Sequence, residues 1–585
     1  MSNNKTSITL ILSMIISLLL ITIGLSFAYF TANITNTEDS TTINVSGGMM
    51  NIHYNGGDNI NAPSISPSNE SFATKTFTLT GNNTTNTNMN YHIIFVIEEN
   101  TFTEEALKYK LISTNTDDNG TIAPSINELK DIPTNQNEIF LGNGSFESPT
   151  SGNKVHTYNL ELYFPETDED QNENQGKTFK AYISVRENKY EYNEIKGVNH
   201  PILFTGMTPI KWDENNNEIE TIESDLDWYD YDNKKWANAK SADGSYWVWI
   251  PRYAYKIESC YHTSGEDCLA LTGKEAGDID VKFLKGRTTE TKDSTTIEIS
   301  GYEPGVKDTS MHYFLHPAFD FDDGYLGFWM AKYEPTAVEG INNIDGTCNA
   351  LDNVISNTVK IIPDTTSWRC IDINTAFNLT MSMKYKQPIY GWESVEIDSH
   401  VMTTHEWGAV AYLSKSLYGA SSEVWNNSYS GYRTGCSEFQ LDSEVTDICF
   451  SYDSIEGQKA STTHNIFGVY DMSGGANERL MGNYNNKISN SGFSEENLES
   501  INEKHIIKYT NSSVVYGDAL YETSTSVDGS NSWYNDYSYF LNNSSPWFTG
   551  GGSYNSKSSA GVFALSRSSG GIAISSSFRP VLVPS

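Results

Sequence analysis

Apolar and polar side chains alternate along several segments between residues 31 and 187. A period of two places every second residue on the same face, as in a strand with one buried face. Segments rich in Asn, Gly and Ser separate these runs, which predicts an antiparallel β-sandwich for residues 31–187. The apolar positions of its strands are Phe77 and Leu79; Tyr91, Ile93, Phe95 and Ile97; Tyr158, Leu160 and Leu162; and Phe179, Ala181, Ile183 and Val185.

A second pattern begins after residues 188–208, which we predict to be a linker. Aromatic residues crowd the expected strand at residues 246–253, and residues 327–336 contain a strand that is apolar on both faces. We predict that residues 209–585 form this second module, with insertions.

The clearest helix is predicted to start after Thr403. Thr403 and Glu406 have the spacing of a capping box, in which each side chain satisfies a free backbone N–H of the first turn. Gly419 is expected to end the helix. Cap and first-turn roles explain His405 and Glu406, and a metal or acid–base role is the alternative. The buried face is expected to contain Trp407, Val410, Ala411, Ser414 and Leu417.

The start of the chain carries an export signal. Lys5 precedes an uncharged apolar run at residues 8–30, which is long enough to span a bilayer, and acidic residues follow it. Ser26 and Ala28 are small residues at the spacing that signal peptidase requires. Residues 1–30 are thus a signal peptide or a transmembrane anchor. In both cases we expect the rest of the chain to be extracellular or at the cell surface.

Charge restricts the possible partners. The 585 residues include 38 Lys and Arg against 74 Asp and Glu, a formal net charge of −36. Phosphate backbones repel such a chain, so nucleic acid is not an expected partner. The length predicts more than one hydrophobic core.

All six cysteines lie in the second module and form three close pairs along the chain. Disulfides are expected in an exported protein, and sequential pairing is predicted because each bridge then closes one local loop. No Cys/His spacing typical of a zinc site is present. The predicted bridges are Cys260–Cys268, Cys348–Cys370 and Cys436–Cys449.

The most unusual stretch is HNIFGVYDMSGGANERLMGNY, residues 464–484. Asp471 and Glu478 lie on either side of a Gly-Gly turn, an arrangement that offers oxygen ligands to a hard cation such as Ca²⁺. The alternative is a salt bridge between Glu478 and Arg479 or another cation. Spacing alone leaves both interpretations open.

Five segments of the second module, in order, resemble the formylglycine-generating enzyme (sulfatase-modifying factor) family. The resemblance covers most of residues 207–585 and implies a C-type-lectin-like α+β fold. The expected fold class is therefore an all-β module followed by an α+β module. The chain departs from the family signature G-L-Y-D-M-x-G-N-V-W-E-W at Gly475, Asn477 and Arg479. The five landmark segments are GFWMAKYEPT (327–336), EWGAVAYLS (406–414), IFGVYDMSGGANE (466–478), TGGGSYN (549–555) and SSFRPVL (576–582).

The resemblance also implies site residues. The family's calcium loop corresponds to Asp471 and Glu478 as side-chain ligands, and to Gly474 and Ala476 as carbonyl ligands. The family's two copper-binding cysteines would lie between residues 555 and 576, where this chain has no cysteine. A hydroxyl does not replace a thiolate as a soft copper ligand, so we expect no copper and no oxidase activity. The His cluster and partner domain of the iron-dependent branch are also not recognisable.

Near the C-terminus, a segment rich in Asn, Ser, Tyr and Gly is typical of binding loops. Some lectin-like proteins bind ligands at the corresponding surface, which makes a glycan or a surface protein the expected partner. The alternative is that these residues only contribute to packing near the C-terminal strand. The candidate ligand-binding residues are Tyr539, Trp547, Tyr554, Asn555 and Ser556.

The segment AYFTA (28–32), followed by a β-sandwich, resembles the TasA/camelysin group of exported surface and biofilm-matrix proteins. That resemblance implies export and, in the group, strand-mediated assembly. The leading hypothesis is therefore a non-catalytic surface protein for ligand recognition or adhesion, bound to the membrane through its N-terminal segment if that segment is not cleaved. The alternatives are a subunit of a matrix fibre and a surface-modifying enzyme with an unrecognised site.

Overall fold

The computed structural model describes residues 41–42, 50–55, 67–83, 89–103, 106–114, 120–134, 138–146, 154–167, 171–174, 177–186, 196–223, 225–261, 276–292, 295–298, 312–321, 325–337, 348, 357–438, 447–510, 515–524 and 531–584. The expected signal peptide or anchor, residues 1–30, lies outside these ranges. No helix within them is both long and apolar enough to cross a membrane. Strands predominate and helices are few, as in a β-rich α+β protein.

The chain divides into two compact units between Tyr190 and Glu191, with residues 224–226 grouped with the first unit. The described part of the predicted linker, residues 196–208, belongs to the second unit. Asn199 is buried there, and its amide donates to the carbonyl of Gly286 at 3.2 Å while its own oxygen accepts from the Gly286 N–H at 2.7 Å. The linker interpretation is wrong for these residues, because their polar groups are used in packing.

The first unit consists of two antiparallel sheets. Six strands are ordered β1-β2-β3-β8-β5-β6, and three are ordered β7-β4-β9. The strands are β1 (Thr41–Thr42), β2 (Met50–Asn55), β3 (Ser68–Asn83), β4 (Met89–Asn100), β5 (Lys108–Thr114), β6 (Ile126–Asp131), β7 (Glu138–Phe146), β8 (Lys154–Phe164) and β9 (Phe179–Arg186).

The predicted alternation is confirmed on β8, whereas β4 is buried at every position from Ile93 to Ile97. Along β8, every second residue from His156 to Phe164 is buried, as a half-buried strand requires. Strands of both sheets contribute to one hydrophobic cluster. Within it, the hydroxyls of Tyr91 on β4 and Tyr158 on β8 lie 2.6 Å apart, so a hydrogen bond links the two sheets where no water is available.

The second unit is built around a mixed set of sheets. Seven strands are ordered β11-β10-β12-β13-β17-β26-β20, five form β22-β21-β23-β24 with β25 on β21, and the smaller sheets are β15-β14-β16 and β18-β19. The strands are β10 (Thr208–Trp212), β11 (Glu218–Glu220), β12 (Asn238–Lys240), β13 (Tyr246–Pro251), β14 (Tyr253–Ile257), β15 (Ile279–Phe283), β16 (Phe314–Leu315), β17 (Gly327–Ala331), β18 (Thr336–Ala337), β19 (Val359–Lys360), β20 (Ile397–Val401), β21 (Asn477–Tyr484), β22 (Ile507–Tyr509), β23 (Trp547–Gly551), β24 (Gly561–Ser568), β25 (Ser576–Phe578) and β26 (Pro580–Pro584).

Strand β17 lies inside the larger sheet, between β13 and β26. All five of its residues are buried, which confirms the prediction of a strand that is apolar on both faces. The C-terminal strand β26 pairs with β17 on one side and β20 on the other, so the last strand of the chain lies inside this sheet. Trp249 and Trp329 lie on the paired strands β13 and β17 with ring centroids 5.3 Å apart. Large aromatic side chains thus fill the interior.

The described helices are short and begin at side-chain caps where the sequence offers them. The capping box of Thr403 and Glu406 is confirmed. The helix ends at Lys415, however, and Leu417 is 75% exposed, so the prediction that Gly419 ends it is wrong. Ser416 adopts an extended conformation, which stops the helix earlier. The helices are α1 (Ile373–Met383), α2 (Gln387–Tyr390), α3 (Thr404–Lys415) and α4 (Glu495–Glu499).

Two of the predicted disulfides are confirmed: Cys348–Cys370 and Cys436–Cys449. Cys260 is also disulfide-bonded, while Cys268 lies outside the described residues. Disulfides persist in oxidising surroundings, so these bridges are consistent with an extracellular location.

Candidate functional site

The C-terminal landmark brings a buried arginine into the centre of the second unit. Arg579 precedes β26, and its Nε donates to Oε2 of Glu478 at 2.7 Å while its Nη2 donates to Oε1. Its Nη1 also donates to the carbonyl of Ala331 at 2.7 Å, and its Nη2 to that of Tyr470 at 2.9 Å. Three of the five landmark segments therefore meet at one guanidinium group.

Glu478 and Arg579 are both fully buried, and the planar guanidinium engages both carboxylate oxygens. The salt-bridge alternative for Glu478 is therefore the one observed, with Arg579 as the cation. Arg479 is buried as well, but its Nε donates to the carbonyl of Ile371 at 2.8 Å. The residue next in sequence to Glu478 points elsewhere, because neighbours along a strand face opposite sides of the sheet.

Asp471 is held by N–H donors from three other segments. Its carboxylate accepts from the Asn427 side-chain amide at 2.9 Å, from the Gly435 N–H at 2.9 Å and from the Glu334 N–H at 3.3 Å. Burial raises the pKa of Asp471, and the charge of Arg579 opposes this shift. The carboxylate is thus satisfied by protein groups.

Glu334, from the first landmark, is a third buried carboxylic acid in this region. Its Oε1 accepts from the Ala476 N–H at 2.8 Å. Burial, followed by the nearby charges of Asp471 and Glu478, raises the pKa of Glu334 well above its usual range. Three acids therefore lie near one guanidinium, and like charges at low dielectric oppose the ionisation of Glu334. We refer to Glu334, Asp471, Glu478 and Arg579 as the acid–arginine cluster.

Glycine is required at the turn inside this cluster. Gly475 has φ of +67°, and a Cβ atom there would lie 2.6 Å from Oε1 of Glu334. Gly474 has φ of +78°, and its Cβ would meet Oδ1 of Asn426 at 1.7 Å. The glycine at position 475, where the resembled family carries Asn, thus leaves room for the Glu334 side chain.

The predicted calcium ligands Asp471, Gly474, Ala476 and Glu478 do not fit a calcium ion in this arrangement. Both oxygens of Glu478 face Arg579, so an ion bound there would lie beside a buried positive charge. Within the described residues, Asp471 and Glu478 do not belong to any three-residue group whose ligand atoms lie within 4.8 Å of one another. We derive no function from calcium, and its binding stays a prediction.

Trp547 is not available to a ligand. It is fully buried, its Nε1 donates to the carbonyl of Ile488 at 3.2 Å, and its ring stacks on Phe493 with centroids 5.5 Å apart. The ligand-binding prediction is wrong for this residue. Trp547 starts β23 in the middle of the five-stranded sheet, a position that sequence alone did not separate from a surface loop.

Tyr554, Asn555 and Ser556 lie in the turn between β23 and β24. Tyr554 is half-buried and Asn555 is exposed. The Tyr554 N–H donates to the carbonyl of Gly475 at 2.8 Å, which fixes the turn against the acid–arginine cluster. Oγ of Ser556 accepts from the Ser553 N–H at 3.0 Å, so Ser556 shapes the turn.

The Tyr554 ring packs against two side chains that are largely buried, Tyr432 at 9% and Arg369 at 3% exposed. It meets the ring of Tyr432 edge-on, with centroids 4.9 Å apart, and the Arg369 guanidinium lies 3.8 Å from the Tyr432 ring centre. We call Arg369, Tyr432, Tyr554 and Asn555 the Tyr554 patch. Within it, Tyr554 and Asn555 supply the accessible atoms, while the buried Tyr432 and Arg369 support the Tyr554 ring.

Tyr539 belongs to a separate group of contacts. It is half-buried, its N–H donates to the carbonyl of Leu565 at 2.7 Å, and the Arg567 guanidinium lies 4.0 Å from its ring centre. Its aromatic neighbour is Tyr537, which is 45% exposed. Of the five predicted ligand-binding residues, Trp547 is therefore buried, three share one turn, and Tyr539 has separate contacts. The three in the turn are Tyr554, Asn555 and Ser556.

One group of side chains escaped the sequence analysis. Asp398, His400 and His505 bring ligand atoms within 4.8 Å of one another, and all three are buried. His505 lies 107 residues after Asp398, so no local spacing joins them. The sequence contained one relevant pattern: Asp398 and His400 are two positions apart on a strand, which places both on one face of β20.

Ionic contacts surround this group. Lys504 Nζ lies 2.5 Å from Oδ2 of Asp398, and Nε2 of His400 lies 2.9 Å from Oε1 of Glu406. Burial favours neutral His400, but the carboxylates of Glu406 and Asp398 outweigh it and raise the pKa of His400 to about 9. With Lys504 and protonated His400 opposite two carboxylates, the charges balance.

A further buried acid lies beside helix α3. Oε2 of Glu522 accepts from the hydroxyls of Tyr255 at 2.7 Å and Tyr412 at 2.9 Å, and from the Gly517 N–H at 2.7 Å. Burial raises the pKa of Glu522 to about 7 and that of nearby Asp518 to about 6. This site titrates near neutral pH, which local sequence patterns did not indicate.

Comparison with known proteins adds no family assignment. No protein-family model matches the chain, and no curated protein matches it.

Proposed function

We propose that this protein is exported and that its second unit recognises a glycan or protein ligand at the cell surface through the Tyr554 patch. The second unit is a C-type-lectin-like domain similar to the formylglycine-generating enzymes, but without oxidase activity. The first unit is the β-sandwich that precedes it. One observation carries the proposal: the residues of the family landmarks are used in buried structural contacts, and the exposed turn of Tyr554 and Asn555 is built directly on them.

The acid–arginine cluster explains why the scaffold is rigid beneath the patch. Glu334 accepts from the Ala476 N–H, and the next carbonyl towards the N-terminus, that of Gly475, accepts from the Tyr554 N–H. Two hydrogen bonds of neighbouring backbone groups therefore connect the turn to the buried carboxyl group of Glu334. A restrained tyrosine loses little conformational entropy on binding, and an amide adapts its hydrogen bonds to the ligand.

The composition of the segment after β23 argues against oxidase activity in this protein. Residues 555–576 contain Ser, Gly, Asn and Lys but no cysteine. Copper(I) selects soft thiolate ligands, and oxidation of a substrate thiol by this family requires that pair of cysteines. Recognition without catalysis is the function that the remaining surface supports best.

Binding of the purified full-length chain to a glycan array and to extracts of cell-surface proteins tests this proposal. We expect Tyr554→Ala and Asn555→Ala each to weaken binding about tenfold or more, as removal of a central aromatic contact does. Tyr385→Ala is the matched control, because Tyr385 is 69% exposed and lies outside the patch. Retained binding in both patch variants, or equal loss in the control, would overturn the assignment of the surface.

A separate assay tests the absence of oxidase activity. The chain is incubated with copper, oxygen and a cysteine-containing sulfatase peptide, and the peptide mass is measured. We expect the peptide to keep its thiol. Formation of formylglycine would contradict the non-catalytic assignment and leave the Tyr554 patch as a substrate-binding surface instead.

A further inference from the structure

We propose that Asp398, His400 and His505 form a binding site for one zinc ion in the second unit. Their candidate ligand atoms, a carboxylate oxygen and two imidazole nitrogens, all lie within 4.8 Å of one another. The side chains of Asp398, His400 and His505 are 7%, 2% and 6% exposed. Two imidazoles and a carboxylate are a ligand set that zinc accepts in proteins.

The separations between these atoms agree with zinc coordination. Nε2 of His505 lies 2.9 Å and 3.0 Å from the two oxygens of Asp398, and Nδ1 of His400 lies 3.6 Å from Oδ1. Tetrahedral ligands at zinc bonds of about 2.0–2.1 Å are separated by roughly 3.3 Å. Small side-chain rotations therefore suffice to place all three atoms around one ion.

His400 is oriented for this role by a neighbouring carboxylate. Its Nε2 is bound to Oε1 of Glu406, and Oε2 of Glu406 is fixed by the N–H of Thr403 at 2.8 Å. Nδ1 of His400 is buried and has no hydrogen-bond partner, and it faces Asp398. A carboxylate on the far nitrogen is the usual way in which proteins orient a metal-binding imidazole and strengthen its basicity.

Lys504 lies between the proposed site and solvent, and it competes with zinc for the carboxylate of Asp398. Its ammonium group contacts Asp398 at 2.5 Å, and its side chain is 24% exposed, so it lies between the buried group and solvent. Zinc must displace this ammonium group from the carboxylate, and the Nδ1 proton of His400 must be released to solvent as the imidazole binds the ion. Because a lysine side chain is long and flexible, it can move into water without disturbing the backbone.

The proposed ion would connect two sheets of the second unit. Asp398 and His400 belong to β20 at one edge of the seven-stranded sheet. His505 ends the short 3-10 helix Glu503–His505, just before β22 at the edge of the five-stranded sheet. Zinc binding would therefore stabilise the second unit against unfolding.

The test titrates zinc chloride into metal-free full-length protein and follows binding by calorimetry and thermal unfolding by fluorescence. We expect one zinc ion per chain and an increase in Tm. His505→Gln and Asp398→Asn should each weaken zinc binding about tenfold or more and remove the increase. His312→Gln is the matched control, because His312 is a partly exposed histidine paired with Glu298 elsewhere.

Lys504→Met separates a metal site from a purely structural ion cluster. If zinc competes with the ammonium group, the variant binds zinc several-fold more tightly than the wild type. Unchanged or weaker binding in Lys504→Met would contradict the proposal. So would zinc binding that is equal in the wild type and His505→Gln, since it would place the metal on the acidic surface.

Discussion

The guanidinium of Arg579 pairs with both carboxylate oxygens of Glu478, although 101 residues separate them and neither side chain has exposed surface. The same guanidinium binds the carbonyls of Ala331 and Tyr470. It thereby joins the C-terminal strand to the centre of the second unit. This buried ion pair therefore connects segments that are far apart in the sequence.

Removal of this arginine should destabilise the second unit strongly. Arg579→Met leaves Glu478 buried without its partner, at a cost of roughly 3–5 kcal/mol. The control is Arg433→Met, since Arg433 is 46% exposed and pairs with the partly exposed Asp364, a contact worth at most about 1 kcal/mol. Urea denaturation followed by tryptophan fluorescence measures both. Similar losses in the two variants would contradict a dominant role for the buried pair.

Calcium should have little effect on the second unit. Because Arg579 already occupies both oxygens of Glu478, we expect the same Tm with calcium and with a chelator selective for calcium. Differential scanning fluorimetry measures the difference. An increase in Tm with calcium that Glu478→Gln removes would instead establish the loop of Asp471, Gly474, Ala476 and Glu478 as a calcium site.

Each local disulfide should contribute measurably to stability. Cys348 and Cys370 are 22 residues apart and Cys436 and Cys449 are 13 apart. Closing loops of these lengths in the unfolded chain is worth about 3 kcal/mol in the chain-entropy model. We expect the double variant Cys436→Ser, Cys449→Ser to lose about that amount in urea denaturation. A loss below about 1 kcal/mol would show that the native geometry offsets the entropic gain.

Ionisation of Glu522 should destabilise the second unit as pH rises from about 5 to 8. Burial raises the pKa of Glu522 from 4.5 to about 7, so the folded state binds more protons than the unfolded state between these values. The contribution of Glu522 to stability is therefore fully present below pH 4.5 and is lost as the pH rises through about 7. The difference is on the order of 3 kcal/mol. Asp518, raised to about 6, acts in the same direction.

Glu522→Gln isolates this effect. The amide oxygen can still accept from Tyr255, Tyr412 and the Gly517 N–H, but it does not titrate. Thermal unfolding at pH 5 and pH 8 should show a smaller difference in the variant than in the wild type. Glu499→Gln, at an exposed position, should leave the difference unchanged. An identical pH dependence in wild type and Glu522→Gln would remove Glu522 as its cause.

Much of the secondary structure was predictable because it depends on local patterns. The alternation around Tyr158 indicated β8, the apolar run at residues 327–336 indicated β17, and Thr403 with Glu406 indicated the start of α3. The end of α3 was not predictable in the same way. Gly419 resembles a helix stop, but the extended backbone at Ser416 ends the helix first.

The candidate sites were less accessible to sequence reasoning. Trp547 and Tyr554 occur seven positions apart in similar surroundings, yet one is a core residue on β23 and the other lies in a turn with an exposed neighbour. Composition describes a segment as suitable for binding, but burial depends on the sheet into which it folds. The zinc proposal required His505 and Asp398 to be brought together from distant segments.

The sequence by itself determined the alternation of β8, the doubly buried strand β17, the capping box of α3 and the disulfides Cys348–Cys370 and Cys436–Cys449. These features depend on backbone geometry within one element or one short loop. Only the tertiary structure decided which cation neutralises Glu478, which aromatic residues remain near the surface and which histidines meet Asp398. Such partners are selected by the packing of segments far apart in the chain, where a buried charge must find its counterion or lose its ionisation.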